Sequence, residues 1–280
     1  MAKKQTPLEK EWAKLEKQEA AYLQKRMEKT DSKLNQLLAA KVPEKLQGTL
    51  DAAFYKAFQL VFEKGTAVIE KTYKKETLQQ DYQINEYAAK VRGNSKSLKT
   101  FSKRACGAGN ANLLLSGVSG VGLGVLGIGI PDIVLFTGLM LKSIYEIALN
   151  FGFDYQEESE RRFILLLIQG ALAHGRELEK LDEEINVYIG LSVRMQSMSR
   201  AVEELATAES AWDNCIREAS AGLSKELLYM KFLQGIPIVG AVGGAYDVIY
   251  MKQIVKYAEL KYRRRFLEKQ KISGSISGII

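Results

Sequence analysis

The chain has 280 residues, 46% of them hydrophobic and 26% charged, and its 40 Lys and Arg exceed 33 Asp and Glu to give a net charge of +7. That balance excludes wholesale disorder and allows one sizeable core. Two cysteines, Cys106 and Cys215, and one histidine, His174, exclude a disulfide scaffold and the Cys/His zinc patterns, so neither a metal nor a cofactor is expected.

In chain order, the apolar residues Leu8, Trp12, Leu15, Tyr22, Leu23, Met27, Leu34, Leu37 and Leu38 recur mostly every three or four positions, which predicts an amphipathic helix over about 7–40. No apolar secretory stretch precedes it, so a cytosolic or cytosol-facing protein is expected. Pro43 stops that helix, because the residue before a proline is pushed out of the helical region. Helical periodicity resumes through Leu46, Leu50, Phe54, Phe58, Val61 and Phe62, and again through Val68, Ile69, Tyr73, Leu78, Tyr82 and Tyr87. No stretch alternates with period two for long enough to predict a sheet.

Lys90, Arg92, Lys96, Lys99, Lys103 and Arg104 then follow with no acid among them, and directly afterwards residues 111–130 carry no charge at all. Gly117, Gly120, Gly124 and Gly127 line one face of that apolar segment and would let another backbone approach closely. Pro131 and Asp132 punctuate the chain as a first-turn proline and a cap, and a second apolar helix follows over 133–151. The pair could span a bilayer as a hairpin, but Lys142 and Glu146 sit in the second helix, and a central charge opposes insertion by roughly 2.5 to 3.5 kcal/mol. A helix apolar all round is also what a buried bundle core requires, and that reading is preferred, with an integral hairpin as its rival.

Asp154 and Glu157 have the spacing of a capping box, opening a helix that buries Phe163 to Leu167. An acidic helix covers Glu177 to Glu184. Gly235, Pro237, Gly240 and Gly244 repeat the earlier Gly-Ile-Pro entry and GxxxG spacing, Gly240 and Gly244 serving helix packing. The last helix, Tyr246 to about Gln270, carries Lys252, Lys256, Lys261, Arg263, Arg264, Arg265 and Lys269, and residues 273–280 read as a loose tail. Charge is segregated along the way: residues 1–104 hold 22 basic and 13 acidic side chains, 105–151 one and two, 152–234 nine and 15, and 235–272 eight and three. Such segregation speaks about partners.

Several of these stretches together resemble the EcsC protein family in order and spacing. They are Gly129-Ile-Pro131-Asp132-Ile; Ser143-Ile-Tyr-Glu146 through Gly152-Phe-Asp154; Glu160-Arg161-Arg-Phe163; Ile236-Pro237-Ile-Val-Gly240-Ala; and Tyr262-Arg263-Arg264-Arg265-Phe266-Leu267. The opening Leu8-Glu9-Lys-Glu11-Trp12 is similar to the start of the family as well. The family pattern has a proline between the Asp and the Glu-Arg pair, where this chain has Gln156-Glu157-Glu158-Ser159. The resemblance implies a mainly helical protein with strongly hydrophobic central helices, named through association with an ABC-transporter operon, and it supplies no catalytic residues.

The fold expected is all-α: one domain over 1–272, a helical bundle around a central Gly-rich hydrophobic hairpin. Asp132 and Asp247 in apolar surroundings, with His174, are the candidates for a hydrolase. Capping explains Asp132 and His174 as well, and no Gly-x-Ser-x-Gly nucleophile motif accompanies them. The basic residues Lys96, Lys99, Lys103, Arg104, Lys252, Lys256, Lys261, Arg263, Arg264 and Arg265 beside apolar helices point to anionic lipid headgroups, and the absence of a nucleic-acid motif argues against DNA or RNA. The function expected is therefore non-enzymatic: a protein peripheral on the inner face of the cell membrane, binding lipid or another hydrophobic ligand, with a transporter as a candidate partner. The alternatives are the hydrolase and a soluble helical interaction module.

Overall fold

Apolar residues that recur every three or four positions can be buried only by laying helices side by side. The computed structural model describes residues 5–27, 44–92, 96, 98–101, 103–105, 130–197, 209–233 and 245–277. Among these are nine α-helices and no strand: α1 (Pro7–Met27), α2 (Glu44–Leu60), α3 (Thr66–Glu70), α4 (Lys75–Arg92), α5 (Ile130–Asn150), α6 (Glu158–Leu172), α7 (Gly175–Ser197), α8 (Glu209–Leu233) and α9 (Ala245–Ser277). Residues 96–105, where described, are helical too.

The two long helices α5 and α9 lie against one another and between them contact α1, α2, α3, α4, α6 and α7, while α8 packs on α2 and α6. On α5, Met140, Leu141, Ile144, Tyr145, Ile147 and Ala148 are all fully buried. Its window Ile133–Asn150 is the one span among the described residues long and apolar enough to cross a bilayer, and 78% of it is buried inside the bundle. Polar residues fit within this core because their hydroxyls bond back along the helix, as Thr137 does to the Ile133 carbonyl at 2.8 Å and Ser220 to that of Ile216 at 2.7 Å. Lys142 and Glu146 are both buried and face each other at 4.0 Å.

Helix α5 ends where Gly152 turns left-handed with φ of 80°. The Phe153 N–H bonds the Ala148 carbonyl and the Gly152 N–H that of Leu149, each at 3.0 Å, which is a Schellman closure. A Cβ on Gly152 would lie 2.2 Å from the Tyr82 ring, so the position excludes any side chain.

Several boundaries differ from the sequence expectation. Asp154 does not cap a helix: α6 starts at Glu158 with Glu157 as an N-cap that makes no side-chain bond, and Asp154 instead accepts the Gln156 N–H at 3.1 Å. The apolar rhythm from Val68 to Tyr87 is broken at Lys71–Lys74, where the Thr72 N–H and hydroxyl both take the Ile69 carbonyl, at 2.9 and 2.6 Å. A π-helical turn, Val61–Gly65, joins α2 to α3, and Thr66 returns its hydroxyl to the Val61 carbonyl. Helix α9 stays helical to Ser277, through part of the expected tail. Apart from Ile130, the apolar partner segment 111–130, with Gly117, Gly120, Gly124 and Gly127, lies outside the described residues, as does the Pro237, Gly240 and Gly244 motif.

Candidate functional site

Helix α9 is predicted to offer its cations to solvent, yet it lies between three helices that carry acids. Glu11 and Glu19 flank the fully buried Leu15 on α1, four residues to either side, so all three share one stripe of that helix. Arg263 donates to Glu11 at 2.9 Å, Arg264 to Glu19 at 2.5 Å, and Arg265 to Glu160 of α6 at 2.6 Å. The Lys261 ammonium sits 2.8 Å from Asp182 of α7 and 3.2 Å from Glu19.

This arrangement corrects the headgroup assignment for four residues. Lys261, Arg263 and Arg265 are buried, Arg264 is largely so, and each is paired with a carboxylate of its own chain, although the buried Arg265 Nε has no hydrogen-bond partner. A charge removed from water needs such partners, since one left alone in the interior is far costlier than a surface charge.

Around Arg265 the site is aromatic as well as ionic, with the guanidinium 4.1 Å from the Phe153 ring centre and 5.0 Å from that of Phe163. The Tyr262 hydroxyl donates to the other Glu160 oxygen at 2.6 Å. Burial, reinforced by the Glu160 charge, pushes the Tyr262 phenol well above its usual range. Burial opposes the Arg265 charge, yet the Glu160 carboxylate and its hydrogen bond carry that guanidinium above its ordinary value. Five residues before Tyr262, Tyr257 donates to Asp182 at 2.7 Å, and its ring lies tilted by 31° against that of Tyr22 with the centroids 5.3 Å apart.

His174 lies between α6 and α7. Arg26 reaches across from α1, donating to the Ala173 carbonyl at 3.0 Å and to His174 Nδ1 at 2.9 Å. A guanidinium only donates, so Nδ1 accepts and the ring proton sits on Nε2, 2.7 Å from the Glu226 carboxylate of α8. The helix-end carbonyl is thus capped by Arg26, and His174 is a bridge between helices. Both ring nitrogens are occupied, and neither faces a hydroxyl or thiol that it could activate. Asp132 and Asp247 lie in the first turns of α5 and α9, and their side chains fall outside the described set.

A further cluster joins α3, α4 and the segment before α6. Tyr73 donates to Tyr155 and Tyr155 to Glu70, both at 2.6 Å, while Lys75 stands 3.5 Å from Glu70 and from Asp154. Burial alone would raise the Glu70 carboxyl, but Tyr155, Lys75 and Gln156 together hold it below the ordinary value. Arg161, next to Glu160, is half-buried, and its charge bears on the Tyr145 phenol, which burial raises to about 12.

The cations that do meet solvent are elsewhere. Lys96, Lys99 and Lys103 are exposed, and Lys252 and Lys256 are exposed on the first half of α9, with Lys256 paired to Glu259. Lys99 reaches Glu11 only at 3.7 Å, and Arg104 pairs with Asp81 of α4. Phe101 pins the stretch to the bundle, buried with its ring 4.4 Å from Phe266 and 5.7 Å from Tyr82. On the adjoining α4, Ile84 and Tyr87 stand 66% and 72% exposed. Sequence periodicity assigned Tyr87 to the core, and the signal against it was the Gln80, Gln83 and Glu86 around it.

The protein is thus an all-helical bundle whose most conspicuous charged motifs are spent on its own interior, with a separate basic face outside. The chain belongs to the EcsC protein family, which it matches over residues 9–267. It is also similar to the Uncharacterized protein YdbA of Bacillus subtilis (strain 168), 28% identical over 164 residues. That alignment covers 58% of this chain and 55% of the relative, so the chain spans about half the length of the protein it matches. No solved structure gives a significant match.

Proposed function

We propose that this protein is a non-enzymatic, membrane-associated protein that sits on the cytosolic leaflet and binds anionic lipid, in the service of a membrane transporter. The observation that carries the reading is the exposure of Lys96, Lys99 and Lys103 at three- and four-residue spacing on one helical stripe, while α4, which Arg104 and Phe101 contact, exposes Ile84 and Tyr87. Cations near an anionic surface contribute about 1 kcal/mol each, and an amphipathic Tyr suits the headgroup layer. Arg104 adds its charge in part, since Asp81 shares it. The cations of the Tyr262-Arg263-Arg264-Arg265 motif have no place in this contact.

Liposome flotation tests the reading. Wild type co-floats with vesicles of anionic phospholipid at low salt, not with zwitterionic ones, and Lys96→Glu/Lys99→Glu/Lys103→Glu abolishes co-flotation while leaving the thermal midpoint in place. Equal flotation of wild type and this variant contradicts it.

A further inference from the structure

A shallow cleft of about 340 Å³ runs between α1 and α7, lined by Leu23, Met27, Glu179, Asp182, Glu183, Asn186 and Val187. Its floor is fixed, because Asp182 is buried and holds Lys261, Tyr257 and Asn186. Its rim is acidic, with Glu179 and Glu183 exposed one turn apart on α7. Its apolar wall is open to solvent, with Val187 56% and Met27 across the cleft 38% exposed, and one turn beyond the cleft on α7 Leu191 is 48% exposed. A run of exposed aliphatic side chains at four-residue spacing, edged by carboxylates, has the form of a helix-binding groove.

We infer that this groove docks one basic amphipathic helix of a partner protein, its aliphatic anchors against Val187, Leu191 and Met27 and its Lys or Arg side chains against Glu179 and Glu183. Charge decides the occupant. The chain as a whole is +7, so an acidic partner would be attracted to most of its surface without preference. Residues 152–234, which include α7, carry 15 acids against nine bases, and the cleft is where that local excess meets exposed apolar side chains. An anionic leaflet would be repelled by the same rim, so the cleft is distinct from the Lys96, Lys99 and Lys103 face.

The probe is a fluorescein-labelled synthetic helix of Leu and Lys, about five turns long, titrated with the full-length chain by anisotropy beside its Leu and Glu counterpart. The Leu/Lys peptide binds and the Leu/Glu peptide does not, despite the opposite net charge preference of the chain. Loss of one buried aliphatic anchor or of the acidic rim weakens binding about tenfold or more, so Val187→Asp and Glu179→Lys/Glu183→Lys each do so with an unchanged thermal midpoint. Equal binding of both peptides, or unchanged affinity in the variants, overturns the inference. A Val187→Asp protein that melts several degrees lower and binds no differently also overturns it, because the groove is then covered by the chain itself. Vesicle flotation is unaffected by Val187→Asp; its loss would assign the groove to the membrane instead.

Discussion

Replacing Glu160 with alanine leaves the Arg265 guanidinium, 5% exposed or less, without the carboxylate that now lies 2.6 Å away, and leaves the Tyr262 hydroxyl without its acceptor. Phe153 and Phe163 surround the cation, so water cannot take the place of the lost oxygen without opening the contact between α6 and α9. Breaking a buried ion pair from one side costs about 3 to 5 kcal/mol. With an unfolding entropy of roughly 2.1 cal/mol/K per residue near 60 °C over 280 residues, a loss of about 4 kcal/mol lowers the thermal midpoint by about 7 °C. Differential scanning calorimetry measures it directly. The triple replacement Glu160→Leu/Tyr262→Phe/Arg265→Met recovers most of the loss, because it leaves no buried charge or hydroxyl unpaired. A Glu160→Ala midpoint within about 2 °C of wild type, or a triple variant less stable than the single one, would refute the claim that the pair is buried and mutually compensating.

The same reasoning gives two further outcomes. Gly152→Ala forces a left-handed alanine into the Tyr82 ring and destabilises by about 2 to 5 kcal/mol, read as a lowered urea midpoint; a neutral substitution would mean that α5 does not end in the closure seen. Burial first, and neighbouring carboxylates second, raise the phenols of Tyr82, Tyr155, Tyr257 and Tyr262, while Tyr188 is pushed up to about 12. Above the ordinary phenol value of about 10, the unfolded chain releases protons that the folded chain keeps, so stability falls as pH rises through that value. Absorbance at 295 nm therefore shows only a minority of the 13 tyrosines ionising before the chain unfolds, and ionisation of most of them in the folded state would contradict the packing.

How much of this was legible beforehand depended on the range of the interaction. Helix α5 could be read because its signals are local: Pro131 in the first turn, a three- and four-residue apolar rhythm, and Gly152 just past the end. The fate of the Tyr262-Arg263-Arg264-Arg265 run could not, because Arg263 meets a carboxylate 252 positions away and Arg265 one 105 positions away. A basic helix with interleaved aromatics reads the same whether its anions are lipid phosphates or the chain's own glutamates. One signal was available: Glu11, Leu15, Glu19, Tyr22 and Arg26 share a stripe of α1, and a helix that hides carboxylates beside a leucine has cations waiting for them. Val68 and Tyr87, both members of the apolar rhythm read from the sequence, are exposed, because periodicity alone does not tell which apolar residues face out, and only the packing of α3 and α4 does.

The measurement that tests the membrane reading most directly is fractionation of lysed cells, with the pelleted membranes washed first in high salt and then in alkaline carbonate. Contact through exposed lysines is screened by salt, so the protein sediments with membranes at low ionic strength and is released by the salt wash. Retention through carbonate would contradict surface binding and mean that apolar segments enter the bilayer, and recovery wholly in the first supernatant would contradict membrane association altogether.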